Sequence, residues 1–173
     1  MKNPIRTTIA FDEETAKIFE ELKLKGISQS EIVRRALKFY YTFKDLENDE
    51  LEKLKIYFEM LAEGEHVIID LDHLVLFLRL IETHPEKEKF WEIHKSIAKN
   101  HAEEFSGMDV DKILKRLETC NFFRMRRSKN DYTLVFGDKL VKKFMKIFLE
   151  EVLKELKVDF DIKENLTKIR IRL

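Results

Sequence analysis

Apolar and polar residues alternate with period two at both ends of this chain and once in between, and helical periodicity fills the rest. At the start, "IRTTIAF" (residues 5–11) sets Thr7, Ile9 and Phe11 on one side of an extended segment and Arg6, Thr8 and Ala10 on the other. A helix should follow. Asp12 is its expected N-cap, Glu13 and Glu14 suit the positive end of the dipole, and Gly26 stands where a left-handed C-cap belongs. "SQSE" opens a second helix, with Ser28 as cap and Glu31 expected to reach back in a capping box. Its apolar face is Ile32, Val33, Ala36, Leu37 and Tyr40, with Arg34, Arg35 and Lys38 opposite.

From about residue 46 the chain turns acidic, and a helix is expected through "LKIYFEMLAEG" until Gly64 stops it. "EHVIIDLDHLVLFLRLIE" is apolar almost all round, which predicts deep burial, as a short extended piece near 66–70 and a helix to about Ile81. Pro85 fits the first turn of a further helix to about Phe105, and "MDVDKILKRLE" is a short helix. "NFFRMRRSKNDYTLVF" reads as a hairpin around "SKND". An amphipathic helix over "DKLVKKFMKIFLEEVLKELK" and a closing hairpin around "KENL" complete the chain. The expected class is α+β: a strand-helix-helix unit at 1–45, a helical junction at 46–63, and an α+β domain at 64–173 whose helices precede a hairpin-helix-hairpin.

The opening strand has no sequence neighbour to pair with, yet its backbone groups need partners. A second copy of the chain would supply one. Two antiparallel strands, one per subunit, make a ribbon that fits the DNA major groove and presents Arg6, Thr8 and Ala10 twice on one outer face. Arg can donate to guanine acceptors, Thr can bond to several bases, and Ala keeps the ribbon close. The start of the second helix, at Ser28, Gln29 and Ser30, offers free N–H groups and a positive dipole end to a phosphate.

These residues carry a resemblance. "RTTIAFDEETAKIFEELKLKGISQSEIVRRALKFYY" resembles the ribbon-helix-helix repressors of the Arc, MetJ and CopG type in its alternating strand, its acidic helix start, and its Gly and capping residue before "SEIVRRAL". The resemblance implies an intertwined homodimer with its ribbon in the major groove, Arg6, Thr8 and Ala10 on bases, and Ser28, Gln29 and Ser30 on phosphate. Two-fold symmetry then implies a palindromic operator, bound more tightly where dimers pair as tetramers. The same strand and helices can also belong to an ordinary α+β edge, with Arg6 a solvated charge and Ser28 a plain cap.

The later part resembles the vinyl-reductase-type small-molecule-binding domain in the order of "FWEIHKSIAKNHAEEF", "DVDKILKRLE", hairpin, "FMKIFLEEVLKEL" and closing strands. That implies a small-molecule effector; the alternative is that this domain extends the dimer interface. The family's typical C-terminal cysteines are absent, since no cysteine follows Cys120, and this puts a metal or haem role in doubt.

Composition narrows the rest. Acidic and basic residues balance at 33 each, so only local distribution can favour a polyanion. One cysteine excludes an intramolecular disulfide and any cysteine-rich zinc site. With no signal peptide and no long apolar run, the chain is expected in the cytoplasm and away from membranes. His94 and His101, seven apart on one expected helix, lie roughly 10 Å apart along it and cannot alone close on an ion. His66 and His73 straddle an element boundary, and His84 is a cap or loop residue, so no metal site and no cofactor are expected. Arg124, Arg126 and Arg127 in "RMRRSK" are either a solvated hairpin tip or a secondary anion contact. No catalytic motif appears, neither G-x-S-x-G, P-loop, G-x-G-x-x-G nor H-E-x-x-H, so an enzyme is not expected. The reading is a homodimeric DNA-binding regulator; its rival is an antitoxin-like assembly module that uses the dimeric fold without specific DNA binding.

Overall fold

A computed structural model of the chain describes residues 5–62, 64 and 66–173. Residues 63 and 65, in the expected junction and at the start of the apolar segment, lie outside the described residues, as do 1–4. The chain is α+β and divides into two compact units, Met1–Leu51 and Glu52–Leu173.

In the first unit, residues 5–11 lie outside any helix or strand of the chain and, among the described residues, make no backbone hydrogen bond to another segment. Among the described residues, the expected strand therefore has no partner within one copy. Helix α1 (Glu13–Leu24) begins at Asp12, whose carboxylate accepts from the Thr15 N–H at 2.7 Å. It ends at Gly26, which adopts a φ of 78° that a side chain would strain. Helix α2 (Gln29–Phe43) is capped by Ser28, which accepts from the Glu31 N–H. The capping box is only half made: the Glu31 carboxylate turns to Arg34 and Arg35 instead. Ile32 is the buried residue of α2, while Leu37 is 63% and Tyr40 70% exposed, so most of its apolar stripe is uncovered.

Helix α3 (Asn48–Ala62) spans the boundary between the units. Within the second unit it is followed by α4 (Leu71–Thr83), α5 (Lys87–Glu104) and α6 (Val110–Thr119). Pro85 precedes the fifth helix rather than opening its first turn. Next come β1 (Arg124–Ser128), β2 (Asp131–Val135), α7 (Lys139–Glu155), β3 (Asp161–Asn165) and β4 (Lys168–Arg172). The two hairpins join into one antiparallel sheet in the order β1-β2-β4-β3, through a β2–β4 pairing that local patterning does not reveal. Tyr132, Leu134, Ile169 and Ile171 face inward, and α6 and α7 close over them with Ile113, Leu114, Leu149, Val152 and Leu153. Helix α5 packs along α7 through Trp91, Ala98 and Ala102.

The apolar segment 66–81 departs from expectation. Leu78 is buried, but Val67 is 84% and Leu80 67% exposed, and Leu76 and Phe77 also face outward. One stripe of α4 meets the core through Leu74, Val75 and Ile81, and the opposite stripe is left bare.

Candidate functional site

Three places bring chemistry-bearing side chains together. The first is the start of the first unit. Arg6, Thr8 and Ala10 are all exposed, so the residues expected to face bases are at the surface. Phe11 packs against Phe19 of α1, with ring centroids 4.8 Å apart, which ties the end of this segment to the helix. Ser28, Gln29 and Ser30 are exposed at the start of α2. Ser28 spends its hydroxyl on the Glu31 N–H, so the expected phosphate contact would fall to the N–H groups of the first turn. Beside them Arg35, then Arg34, hold the Glu31 carboxyl below the usual carboxylate range, so it stays charged and neutralises part of the local positive field.

The second place is the outer face of the sheet. Directly opposed residues share a face, and the register aligns Arg126 with Thr133, Arg170 and Lys163, and Arg124 with Val135 and Lys168. Arg124, Arg126, Lys168 and Arg170 have no ion-pair partner among the described residues, whereas Lys163 pairs with Asp161 at 3.2 Å and Arg172 with Asp131 at 2.8 Å. A chain of zero net charge thus gathers cations on one open sheet face. Arg127 does not belong to it. It points the other way, donates to Asp111 at 2.9 Å and lies over the Tyr132 ring, so the structure separates it from Arg124 and Arg126.

The third place is a cavity of about 310 Å³ in the second unit, within the size range of small-molecule pockets. Phe90, Ile93, Phe144 and Phe148 give it an apolar wall. His94 lines it but is 5% exposed and already engaged: its Nε2 donates to the Phe144 carbonyl at 3.0 Å, and its ring stacks on Phe144. Burial pushes its pKa below the ordinary histidine value, so the ring is held neutral. Cys120 also lines the cavity; burial raises its thiol, which suits an inert structural cysteine beside Met60 rather than a nucleophile. The rim carries a grouping that spacing along the chain did not reveal. His66, His101 and Glu104 place a ring nitrogen each and a carboxylate oxygen within 4.8 Å of one another. His101 and Glu104 share a face of α5 at three residues' separation, but His66 arrives from the segment before α4, a meeting only tertiary structure creates.

No helix among the described residues is long and apolar enough to cross a membrane. No curated protein and no solved structure matches the chain. Residues 5–42, less than a quarter of the chain, match the sequence model of the ribbon-helix-helix protein, copG family. With its exposed leading segment and two capped helices, the N-terminal part of this chain agrees with that match and is a ribbon-helix-helix segment.

Proposed function

We propose that this chain is a homodimeric DNA-binding transcriptional regulator whose paired N-terminal segments enter the major groove. One observation carries the reading: residues 5–11 of the ribbon-helix-helix segment, with Arg6, Thr8 and Ala10 exposed, make no backbone hydrogen bond to another segment among the described residues. A second copy would satisfy that backbone and cover the bare stripe of Leu37 and Tyr40 on α2. In the dimer, Arg6, Thr8 and Ala10 read bases and the α2 start at Ser28, Gln29 and Ser30 holds phosphate. A two-fold symmetric reader requires a palindromic operator, and tandem sites would recruit paired dimers.

Arg124 and Arg126, with Arg170 and Lys168 in register across the intervening β2, provide a secondary anion contact; Arg127 is left out because Asp111 already engages it. The cavity of the second unit receives a small, largely apolar effector, a reading supported by its size and aromatic wall. The bare stripe of α4 extends the dimer interface. No catalytic step is part of this function.

The test is a titration of the full chain against a fluorescent pool of short random duplexes at two salt concentrations, beside an Arg6→Ala, Thr8→Ala double variant. Sequence-selective binding that weakens steeply with salt and is lost in the double variant is the expected result. Equal binding by both proteins, or none at low salt, would leave the paired segment as an assembly device of the antitoxin kind and remove the regulator reading.

A further inference from the structure

We propose that His66, His101 and Glu104 form a site for one divalent first-row transition-metal ion of the zinc class, at the rim of the apolar cavity. The donor set comes first. Two imidazole nitrogens and one carboxylate oxygen already converge within 4.8 Å, so modest side-chain rotation brings all three to the roughly 2.0–2.2 Å bonds that zinc takes with such ligands. Imidazole favours zinc, nickel, cobalt or iron(II) over magnesium or calcium, which prefer oxygen alone, and the absence of a thiolate in the set disfavours copper(I).

The outer hydrogen bonds point the same way. The Nδ1 of His66 lies 2.9 Å from the Met60 carbonyl, and the Nδ1 of His101 lies 3.0 Å from the Ile97 carbonyl. A carbonyl only accepts, so in each ring Nδ1 carries the hydrogen and Nε2 is left with a free lone pair. Metal-bound histidines are oriented in this way, with the second nitrogen donating to a backbone carbonyl. His94 makes the contrast on the same helix. Its Nε2 is spent on Phe144 and it stays outside the cluster.

Three protein ligands leave a coordination position open, and all three line the cavity. A bound ion would therefore hold its remaining ligand, water or the donor atom of a small molecule, at the mouth of an apolar chamber. Glu104, being exposed, can swing onto an arriving ion without disturbing the core. The site is independent of DNA binding and stands whether or not the regulator reading does.

The test uses the full chain, freed of metal by a chelator and then titrated with Zn²⁺ by calorimetry and with Co²⁺ by visible absorption. Wild type is expected to bind one equivalent of each, with cobalt d–d bands of a low-coordinate site. His66→Gln, His101→Gln and Glu104→Gln should each weaken binding at least tenfold, the lower end of what even an outer-sphere change costs. His73→Gln, a histidine of α4 outside the cluster, should leave it unchanged. The Glu104→Gln change falls on an exposed side chain, so its variant reports on ligation rather than on folding, and far-UV circular dichroism of each metal-free variant checks this. No saturable binding by wild type, half an equivalent per chain, or affinity that survives both Glu104→Gln and His66→Gln would overturn the site.

Discussion

His94 is a buried titratable side chain of the second unit, and its surroundings set a pH dependence. Desolvation is the main cause of its lowered pKa, opposed by the bond to the Phe144 carbonyl, and His101 on the same helix adds a small like-charge push. In the folded chain the ring stays neutral below the pH at which an exposed histidine protonates. Between that depressed value and the ordinary 6.5, the unfolded chain binds the extra proton. Stability is then full above about 6.5 and falls as the pH drops through this window. Urea midpoints at pH about 7.5 and about 5.5 should show that loss, and His94→Phe, which keeps an aromatic ring against Phe144, should show a smaller one. An identical acid loss in both proteins would remove His94 as its source. Single-residue readings succeeded where the determinant is local: Asp12 and Ser28 cap their helices because the bonded N–H lies three residues away. They fell short where the partner is distant. Arg127 shares one basic run with Arg124 and Arg126, but strand alternation turns it to the opposite face and Asp111, sixteen residues back, takes it. His66 and His101 likewise meet only through the packing of the second unit.

At the level of elements, helix α4 shows how composition misleads. An apolar run this dense reads as buried, yet one stripe of it is bare, and part of what fixes the helix is polar. Glu82 near its end accepts from both Trp91 of α5 and Lys143 of α7, and Lys143 also lies over the Trp91 ring, 4.2 Å from its centroid. Periodicity reports that residues are apolar; it cannot report whether the second side is covered by the same chain or by another. Replacing Leu76 and Leu80 together with Glu should therefore leave the monomer folded and shift the full chain toward smaller species in analytical ultracentrifugation. A variant that sediments like wild type would mean that α4 takes no part in association. The hairpins were legible because alternation around a turn is a local signal, whereas the β2–β4 seam that merges them joins residues some forty positions apart. Helix α7 lies over that seam. Leu149, fully buried in it, should cost about 2–5 kcal/mol as Leu149→Ala, read from the denaturation of the second unit; a cost under about 1 kcal/mol would mean that the core relaxes around the loss far more than its packing implies.

Across the whole molecule the two units differ in what holds them. Nearly all the buried apolar side chains, among them Leu134, Met145, Leu149 and Ile169, belong to Glu52–Leu173, while the first unit buries Ile32 and leaves Leu37, Phe39, Tyr40 and Tyr41 largely open. A segment with so small a core lacks the apolar burial that must offset its conformational entropy, and association is the means by which such small units become stable. The second unit has a continuous core of its own and should not need that help. Two consequences separate them in one experiment. A fragment beginning at residue 52 should unfold cooperatively and keep its helical signal on dilution. If the proposed function holds, the helical signal of the first unit in the full chain should melt at a temperature that falls on dilution and rises with added duplex, because a second copy and DNA would each bind only its folded form. If the first unit melted independently of concentration, it would be stable as a monomer, and the backbone of residues 5–11 would have to find its hydrogen bonds in water rather than in a second chain. If the fragment from residue 52 were unfolded alone, its core would be insufficient despite its burial, and the second unit would depend on the first for its folding.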